Sequence, residues 1–190
     1  MLEQLANSLN FIIEQTRNNY EVLGKILAVP WGVFILNSFL GGRLLYLGII
    51  PRHLIGLPGI LFAPLLHANF NHLFFNSIPL LVLSNFLLIN GLSYFLYVTL
   101  FITVFSGTLI WLLGKPGLHI GASALITGYW GLLVSDIMRQ GTVTAIILGL
   151  ISLYYFAGIF LGIFPSKKGI SWEGHLFGLC AGVVASYLFT

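Results

Sequence analysis

The stretch Gly121-Ala122-Ser123-Ala124 begins a segment that carries no charged residue until Asp136. A serine at the start of an apolar helix can bond back to its own backbone, so this hydroxyl has an ordinary structural explanation when taken alone. Two other polar groups also stand at the starts of apolar segments: His72 with Asn76, and His175. Whether these three places can meet depends on how the chain crosses a membrane.

The composition is that of a protein embedded in a membrane. Apolar residues make up 58% of the 190 residues and charged residues only 7%, against about 25% charged in ordinary soluble domains. At about 20 residues per crossing, the chain has room for roughly five to seven helices and for no separate soluble domain. The net charge of +3 comes from scattered residues without a basic block, so no nucleic-acid partner is expected. The sequence predicts an all-α polytopic membrane protein in a lipid bilayer.

Apolar segments separated by charges and turn residues predict six transmembrane helices. Residues 1–23 are expected to form a short amphipathic or flexible segment, and residues 24–190 the membrane domain. Between the first two helices, residues 43–66 are apolar but broken by glycine and proline, which predicts a half-embedded hairpin beside the bundle. The six predicted helices cover residues 26–42, 71–89, 93–113, 121–135, 142–164 and 174–189.

Six helices impose a parity rule on the polar groups, because the second, fourth and sixth helices all enter the membrane from the same face. His72 and Asn76 stand in the first turns of the second helix. Ser123 and His175 stand in the first turns of the fourth and sixth helices. These groups are therefore expected at similar depth on one side of the membrane.

Small residues predict that the fourth and sixth helices pack closely, because such residues let two backbones approach each other. The sixth helix carries a glycine at every fourth position: Gly174, Gly178 and Gly182. The fourth helix has small residues at the same spacing: Ser123, Thr127 and Gly131. If these faces meet, the hydroxyl of Ser123 and the ring of His175 come within reach.

The polar groups form a candidate catalytic constellation. A histidine inside a membrane segment is costly and is by default a functional candidate. Serine is a weak nucleophile unless a neighbouring base takes its proton, which His175 could do for Ser123. His72 and Asn76 lie four residues apart on one helix face and could donate hydrogen bonds to the oxyanion formed on a carbonyl carbon.

Three motifs follow one another along the chain: His67-Ala68-Asn69-Phe70-Asn71-His72 with Asn76, then Gly121-Ala122-Ser123, then Gly174-His175 with Gly178 and Gly182. Their order and spacing resemble those of the rhomboid family of intramembrane serine proteases. The resemblance implies a six-helix fold whose Ser–His dyad, without a third acidic member, cleaves the transmembrane helix of a single-pass substrate near one membrane face. The hairpin and the loop at residues 165–173 are the expected covers of the site.

The resemblance also implies a role for each motif residue. Ser123 is the expected nucleophile and His175 the expected general base. His72, Asn76 and the backbone amide of Ser123 match the family's oxyanion hole. The supporting residues are Gly121, two before the nucleophile, His67, whose role is more structural, and the packing glycines Gly178 and Gly182.

Three features depart from the family pattern. Ala124 stands where the family has a glycine after the nucleophile, and Thr127 where it often has a tyrosine that supports the histidine ring. The tryptophan–arginine pair common in the loop after the first helix is absent, and Arg43 and Arg52 are only loosely placed. The pattern indicates a divergent member that keeps the reactive residues.

Other functions stay open. A catalytically silent rhomboid-like protein would bind or escort membrane segments, and a small transporter would place His72 and His175 in a proton path. No cofactor is expected. A metal site is not expected either, because no His-Glu-x-x-His pattern occurs and Asp136 is predicted at the opposite membrane face.

The resemblance places the N-terminus in the cytoplasm and the site near the outer face, and the lack of a long tail favours a prokaryotic inner (plasma) membrane. This orientation opposes the positive-inside tendency. Three basic residues face inward, namely Arg17, Lys25 and Arg139. Five face outward, namely Arg43, Arg52, Lys115, Lys167 and Lys168. We expect the family topology because these counts are small and two of the outward residues lie in the predicted hairpin.

Overall fold

The chain folds as a bundle of helices. A computed structural model describes residues 2–164 and 171–189, and over these residues it contains eight α-helices and no β-strand. The helices are α1 (Leu2–Asn18), α2 (Tyr20–Phe39), α3 (Gly59–Phe62), α4 (Phe70–Leu88), α5 (Leu92–Leu113), α6 (Ser123–Arg139), α7 (Val143–Leu161) and α8 (Trp172–Phe189). The prediction of an all-α protein is confirmed, and most of the predicted loop 165–173 lies outside the described residues.

Each of the six predicted segments corresponds to a long helix, namely α2 and α4 to α8. The largest boundary difference is at α2, which begins at Tyr20 because the intervening Asn19 keeps a near-helical backbone after α1. In the described part of the chain, four helices are long and apolar enough to cross a membrane: α2, α4, α5 and α7. Helix α6 has 17 residues and ends with charged side chains, and α8 begins with Glu173. Length and composition alone thus support four spans rather than six.

Helix α6 lies at the centre of the bundle, where residues 125–133 are all buried. Helix α8 packs along it at backbone distance. A methyl group on Gly178 would overlap the backbone carbonyl of Ala124, and one on Gly182 would overlap that of Gly128. We call these four residues the glycine seam. The glycine seam therefore joins the two helices of the predicted six that are not among the four candidate spans.

The predicted close approach of these helices is confirmed, but the predicted face of α6 is only partly right: Gly131 packs against Leu179 of α8. Ala124 and Gly128 meet the glycines of α8, whereas Ser123 and Thr127 lie one position to the side. The Thr127 hydroxyl instead donates a hydrogen bond to the Ser123 carbonyl at 2.7 Å. Gly174 does not extend the seam, since the nearest atom to a methyl group there is Ser171 Oγ at 3.4 Å.

The segment 43–66 folds into short helical turns around α3. Its two limbs touch, because a methyl group on Gly59 would overlap the backbone of Gly48. One limb pairs with the loop before α6 through two backbone hydrogen bonds between Ile49 and His119, of 3.0 and 2.9 Å. The segment therefore braces the loop that leads into α6.

Arg52 ties the same segment to the end of α5, although the sequence showed no role for it. Its guanidinium donates hydrogen bonds to the carbonyls of Leu112 and Gly114 at 3.3 and 2.8 Å. The last carbonyls of a helix lack intrahelical donors and carry partial negative charge, so a cation is favourable there.

The other end of the bundle contains a buried carboxylate. Asp136 is 3% exposed and accepts hydrogen bonds from Ser186 of α8 at 2.6 Å and from Gln140 at 2.7 Å. It follows Ser123 by 13 residues on the same helix, which is roughly 20 Å at 1.5 Å per residue. Asp136 is thus far from Ser123, as expected, and its side chain is buried within the bundle.

Candidate active site

The turn that begins α6 brings the first two predicted groups together. Gly121 has φ of +111°, and a methyl group there would lie 2.5 Å from His72 Nε2 and 3.6 Å from Asn76 Nδ2. Glycine is the residue that adopts such a backbone without strain and leaves room for both side chains. His72 and Asn76 therefore face the chain two residues before Ser123.

Asn76 offers a hydrogen-bond donor to this turn. Its side-chain nitrogen is buried and donates to no group among the residues that the structure describes. A buried polar group left unpaired costs about 1–3 kcal/mol. A substrate oxyanion beside Gly121 would accept a hydrogen bond from Asn76 and so recover this cost. Asn76 is therefore suited to be an oxyanion-hole donor.

Ser123 is the first residue of α6 and is half-buried. The first amides of a helix have no intrahelical acceptor and carry partial positive charge, so this position favours a nearby anion. Ser123 also borders a small cavity of about 40 Å³. The cavity lies between α5, the segment 43–66 and the start of α6. Its lining includes Ile49, Ile60, Ala63, Ser106, Ile110 and Ser123. The nucleophile candidate is thus accessible without being on an open surface.

His175 lies in the first turn of α8, three residues before the Gly178 contact with Ala124. The seam therefore places the helix starts that carry Ser123 and His175 beside each other. The Nδ1 atom of His175 lies 2.8 Å from the backbone carbonyl oxygen of Gly162, just after α7.

His67 supports the oxyanion side of the site. Its ring is 2% exposed and packs edge-on against His72, with ring centroids 4.9 Å apart and an interplanar angle of 66°. Burial, reinforced by His72, lowers the pKa of His67 to about 4. The His67 ring is therefore neutral at physiological pH and acts as a packing partner for His72.

Comparison with known proteins assigns the chain to a family. A family model described as "Rhomboid domain" matches residues 56–190, which include every predicted site residue. The chain belongs to the rhomboid family. With its four candidate spanning helices, it is an integral membrane protein, and the relatives described next are bacterial.

This rhomboid is 42% identical over 175 residues to "Uncharacterized protein Rv1337" of Mycobacterium tuberculosis, with 86% of this chain and 72% of the relative covered. It is 42% identical over 143 residues to "Uncharacterized protein ML1171" of Mycobacterium leprae, covering 70% and 56% of the two chains. It is 32% identical over 139 residues to "Putative rhomboid protease YdcA" of Bacillus subtilis, covering 65% and 63%.

The two departures next to Ser123 have structural accounts in this rhomboid. Ala124 meets Gly178 through its backbone atoms, so its methyl group does not keep the helices apart. Thr127 is 1% exposed and bonded to the Ser123 carbonyl. It is therefore not placed to support the ring of His175, as the family's tyrosine is expected to do.

A polar network that the sequence did not predict holds the start of α8. The Ser171 side-chain oxygen accepts a hydrogen bond from the Gly174 amide at 3.2 Å, which is the geometry of a helix N-cap. His119 Nδ1 lies 2.9 Å from Ser171 Oγ, and its Nε2 lies 2.9 Å from the Lys115 carbonyl. His119 thereby joins the loop before α6 to the helix that carries His175.

The same loop makes an ion pair with α8. Lys115 Nζ lies 3.3 Å from a carboxylate oxygen of Glu173, which is buried. Ser171 stands just before an apolar segment whose first turn contains the acidic Glu173. This pattern is typical of a helix N-cap and could have revealed the cap from the sequence.

Among the described residues, no group of three or more His, Cys, Asp or Glu side chains is arranged to hold a metal ion.

Proposed function

We propose that this rhomboid is an intramembrane serine endopeptidase that cleaves a transmembrane segment of a single-pass membrane protein. The proposal rests chiefly on the convergence of His72 and Asn76 on the turn at Gly121. That turn leads directly into Ser123, and the glycine seam holds His175 on the adjacent helix start. Family membership and the name of the Bacillus subtilis relative support the same reaction.

The reaction follows from the properties of these groups. The Ser123 hydroxyl attacks the substrate carbonyl while its proton passes to His175 Nε2. The oxyanion accepts hydrogen bonds from Asn76 Nδ2, the His72 ring and the amide of Ser123. Collapse breaks the peptide bond, and His175 returns the proton to the leaving amine. A water molecule, with its proton taken by His175, then releases the acyl group and regenerates Ser123.

We propose that α2 and α4 to α8 all cross the membrane, with the segment 43–66 half embedded. Helix α6 is shielded from lipid by the other helices, whereas α8 exposes apolar side chains such as Val183, Val184 and Leu188 that are suited to face lipid. The N-terminus then faces the cytoplasm and Ser123 lies near the outer face of a prokaryotic inner membrane. A reporter fused after Thr190 is expected to be active on the cytoplasmic side, and an external reporter would overturn this orientation.

A fluorophosphonate probe tests whether Ser123 is an activated nucleophile. We expect the purified protein to be labelled at Ser123, as mapped by peptide mass spectrometry, and Ser123→Ala to lose the label. Ser135→Ala is a matched control, because Ser135 lies on the same helix and its hydroxyl bonds to the Gly131 carbonyl. Ser135→Ala is expected to label like wild type.

The labelling experiment also separates the alternatives. A catalytically silent rhomboid that binds or escorts membrane segments, or a transporter, predicts no labelling of Ser123 in the folded protein. Labelling that persists in Ser123→Ala would show that the nucleophile lies elsewhere. Cleavage of a transmembrane substrate in detergent, lost in Ser123→Ala, is the matching activity measurement.

Asn76→Ala is expected to lower kcat by about 10²- to 10³-fold, the usual cost of removing one oxyanion donor. The substrate KM should change little, because the donor acts on charge that develops only in the transition state. Asn71→Ala is the control, since Asn71 is exposed on the first turn of the same helix. Equal kinetics for the two variants would remove Asn76 from the oxyanion hole.

A further inference from the structure

We propose that the backbone carbonyl of Gly162 is the positioning partner of His175, and that it takes the place of a third side chain in the catalytic group. This inference rests on the proposed protease function. The carbonyl oxygen lies 2.8 Å from His175 Nδ1. A carbonyl can only accept a hydrogen bond, so Nδ1 must carry the proton and Nε2 the lone pair. His175 is thereby held in the tautomer that a base facing Ser123 requires.

The side chains near His175 do not supply this function. Glu173 lies two positions away on α8, which places it on another side of the helix, and it pairs with Lys115. Thr127 is bonded to the Ser123 carbonyl. Asp136 lies near the opposite end of α6. Of the described groups, the carbonyl of Gly162 is the one bonded to the His175 ring.

The place of Gly162 at the end of α7 adds an electrostatic contribution. Gly162 is the C-cap residue of α7, and the last carbonyls of a helix form the negative end of its dipole. This end stabilises the imidazolium that forms when His175 takes the proton of Ser123. The contact therefore orients the base and places it beside the negative end of α7.

A glycine is needed at 162 because of the ring and not because of the backbone. Its φ of −67° is accessible to any residue. A methyl group there would lie 2.5 Å from His175 Nδ1 and 2.9 Å from Cε1. Gly158, one turn earlier on α7, has no atom within 4 Å of such a methyl group. The two glycines form a matched pair that differs in this contact.

Gly162→Ala is expected to displace the ring and lower kcat by about 100-fold, the scale of a misplacement of about 1 Å in an active site. Gly158→Ala should keep the wild-type kcat. The substitution keeps the backbone carbonyl at 162, so the loss reflects the displaced ring and its broken contact with that carbonyl. Wild-type kcat in Gly162→Ala would overturn the proposal.

The tautomer can be measured without activity. In protein with ¹⁵N-labelled histidine, the His175 signals are those missing from the His175→Ala spectrum. We expect the Nδ1–H form in wild type and its loss in Gly162→Ala. A wild-type Nε2–H form would overturn the proposal whatever the kinetics. If wild type neither cleaves nor labels, the proposed function fails, and the tautomer still decides the role of Gly162.

Discussion

His175→Ala is expected to reduce cleavage of a transmembrane substrate by about 10⁴- to 10⁶-fold, the range seen when one member of a serine-protease catalytic group is removed. Without the imidazole, the Ser123 hydroxyl keeps its proton and is a weak nucleophile. The other histidines near the site are engaged elsewhere. His72 faces Gly121 and His67 packs behind His72. Both ring nitrogens of His119 contact other groups, Ser171 and the Lys115 carbonyl. Initial rates of cleavage by purified protein in detergent measure the effect.

His53→Ala is the control for this experiment. His53 is an exposed histidine in the segment 43–66. The hydrogen bond that it accepts from Trp111 uses its backbone carbonyl. The substitution therefore removes an imidazole without removing that contact, and the cleavage rate should stay within about twofold of wild type, as for most surface changes. A His175→Ala protein that cleaves like His53→Ala would show that His175 is not the base.

Gly182→Ala is expected to damage both the fold and the site. The added methyl group would overlap the carbonyl of Gly128, and a backbone carbonyl cannot move aside as a flexible side chain can. Helix α8 must then shift along its length, at a cost of at least about 1–3 kcal/mol for overpacking. Because His175 lies on α8, the shift also separates the base from Ser123. We expect a lower midpoint in SDS-induced unfolding and a large loss of cleavage.

Gly32→Ala makes the same chemical change where there is space. Gly32 lies within α2, and no atom lies within 4 Å of an added methyl group. Alanine has a higher helix propensity than glycine by about 1 kcal/mol, so this variant should be as stable as wild type or more stable. An unfolding midpoint for Gly182→Ala equal to that of Gly32→Ala would contradict the backbone contact at the seam.

The sequence was sufficient to propose the site because each reactive residue is a polar side chain at the start of an apolar helix. Helix parity alone then predicts that His72, Ser123 and His175 lie at one depth. The face of α6 could not be predicted in the same way. Small residues occupy 123, 127 and 131 but also 124 and 128, so two adjacent faces carry similar spacing. Packing against α8 selects between them, and that information is tertiary.

The groups that position His175 left weaker signals. Gly162 acts through its carbonyl, which every residue possesses, and it is one of 22 glycines in the chain. His119 bonds to Ser171 across 52 residues of sequence. Arg52 looked loosely placed because its partners are carbonyls at the end of α5. Such contacts depend on the path of the chain in space rather than on residue type or period.

The buried contact between Asp136 and Ser186 bears on how the protein is made. The two residues are 50 positions apart, so α6 is synthesised before this part of α8. Until Ser186 has been made, the Asp136 carboxylate lacks this hydroxyl donor. The proposed base, His175, also lies on α8, so the proposed site is complete only once α8 has been made. We therefore expect a nascent chain to be inert toward neighbouring membrane proteins during most of its synthesis.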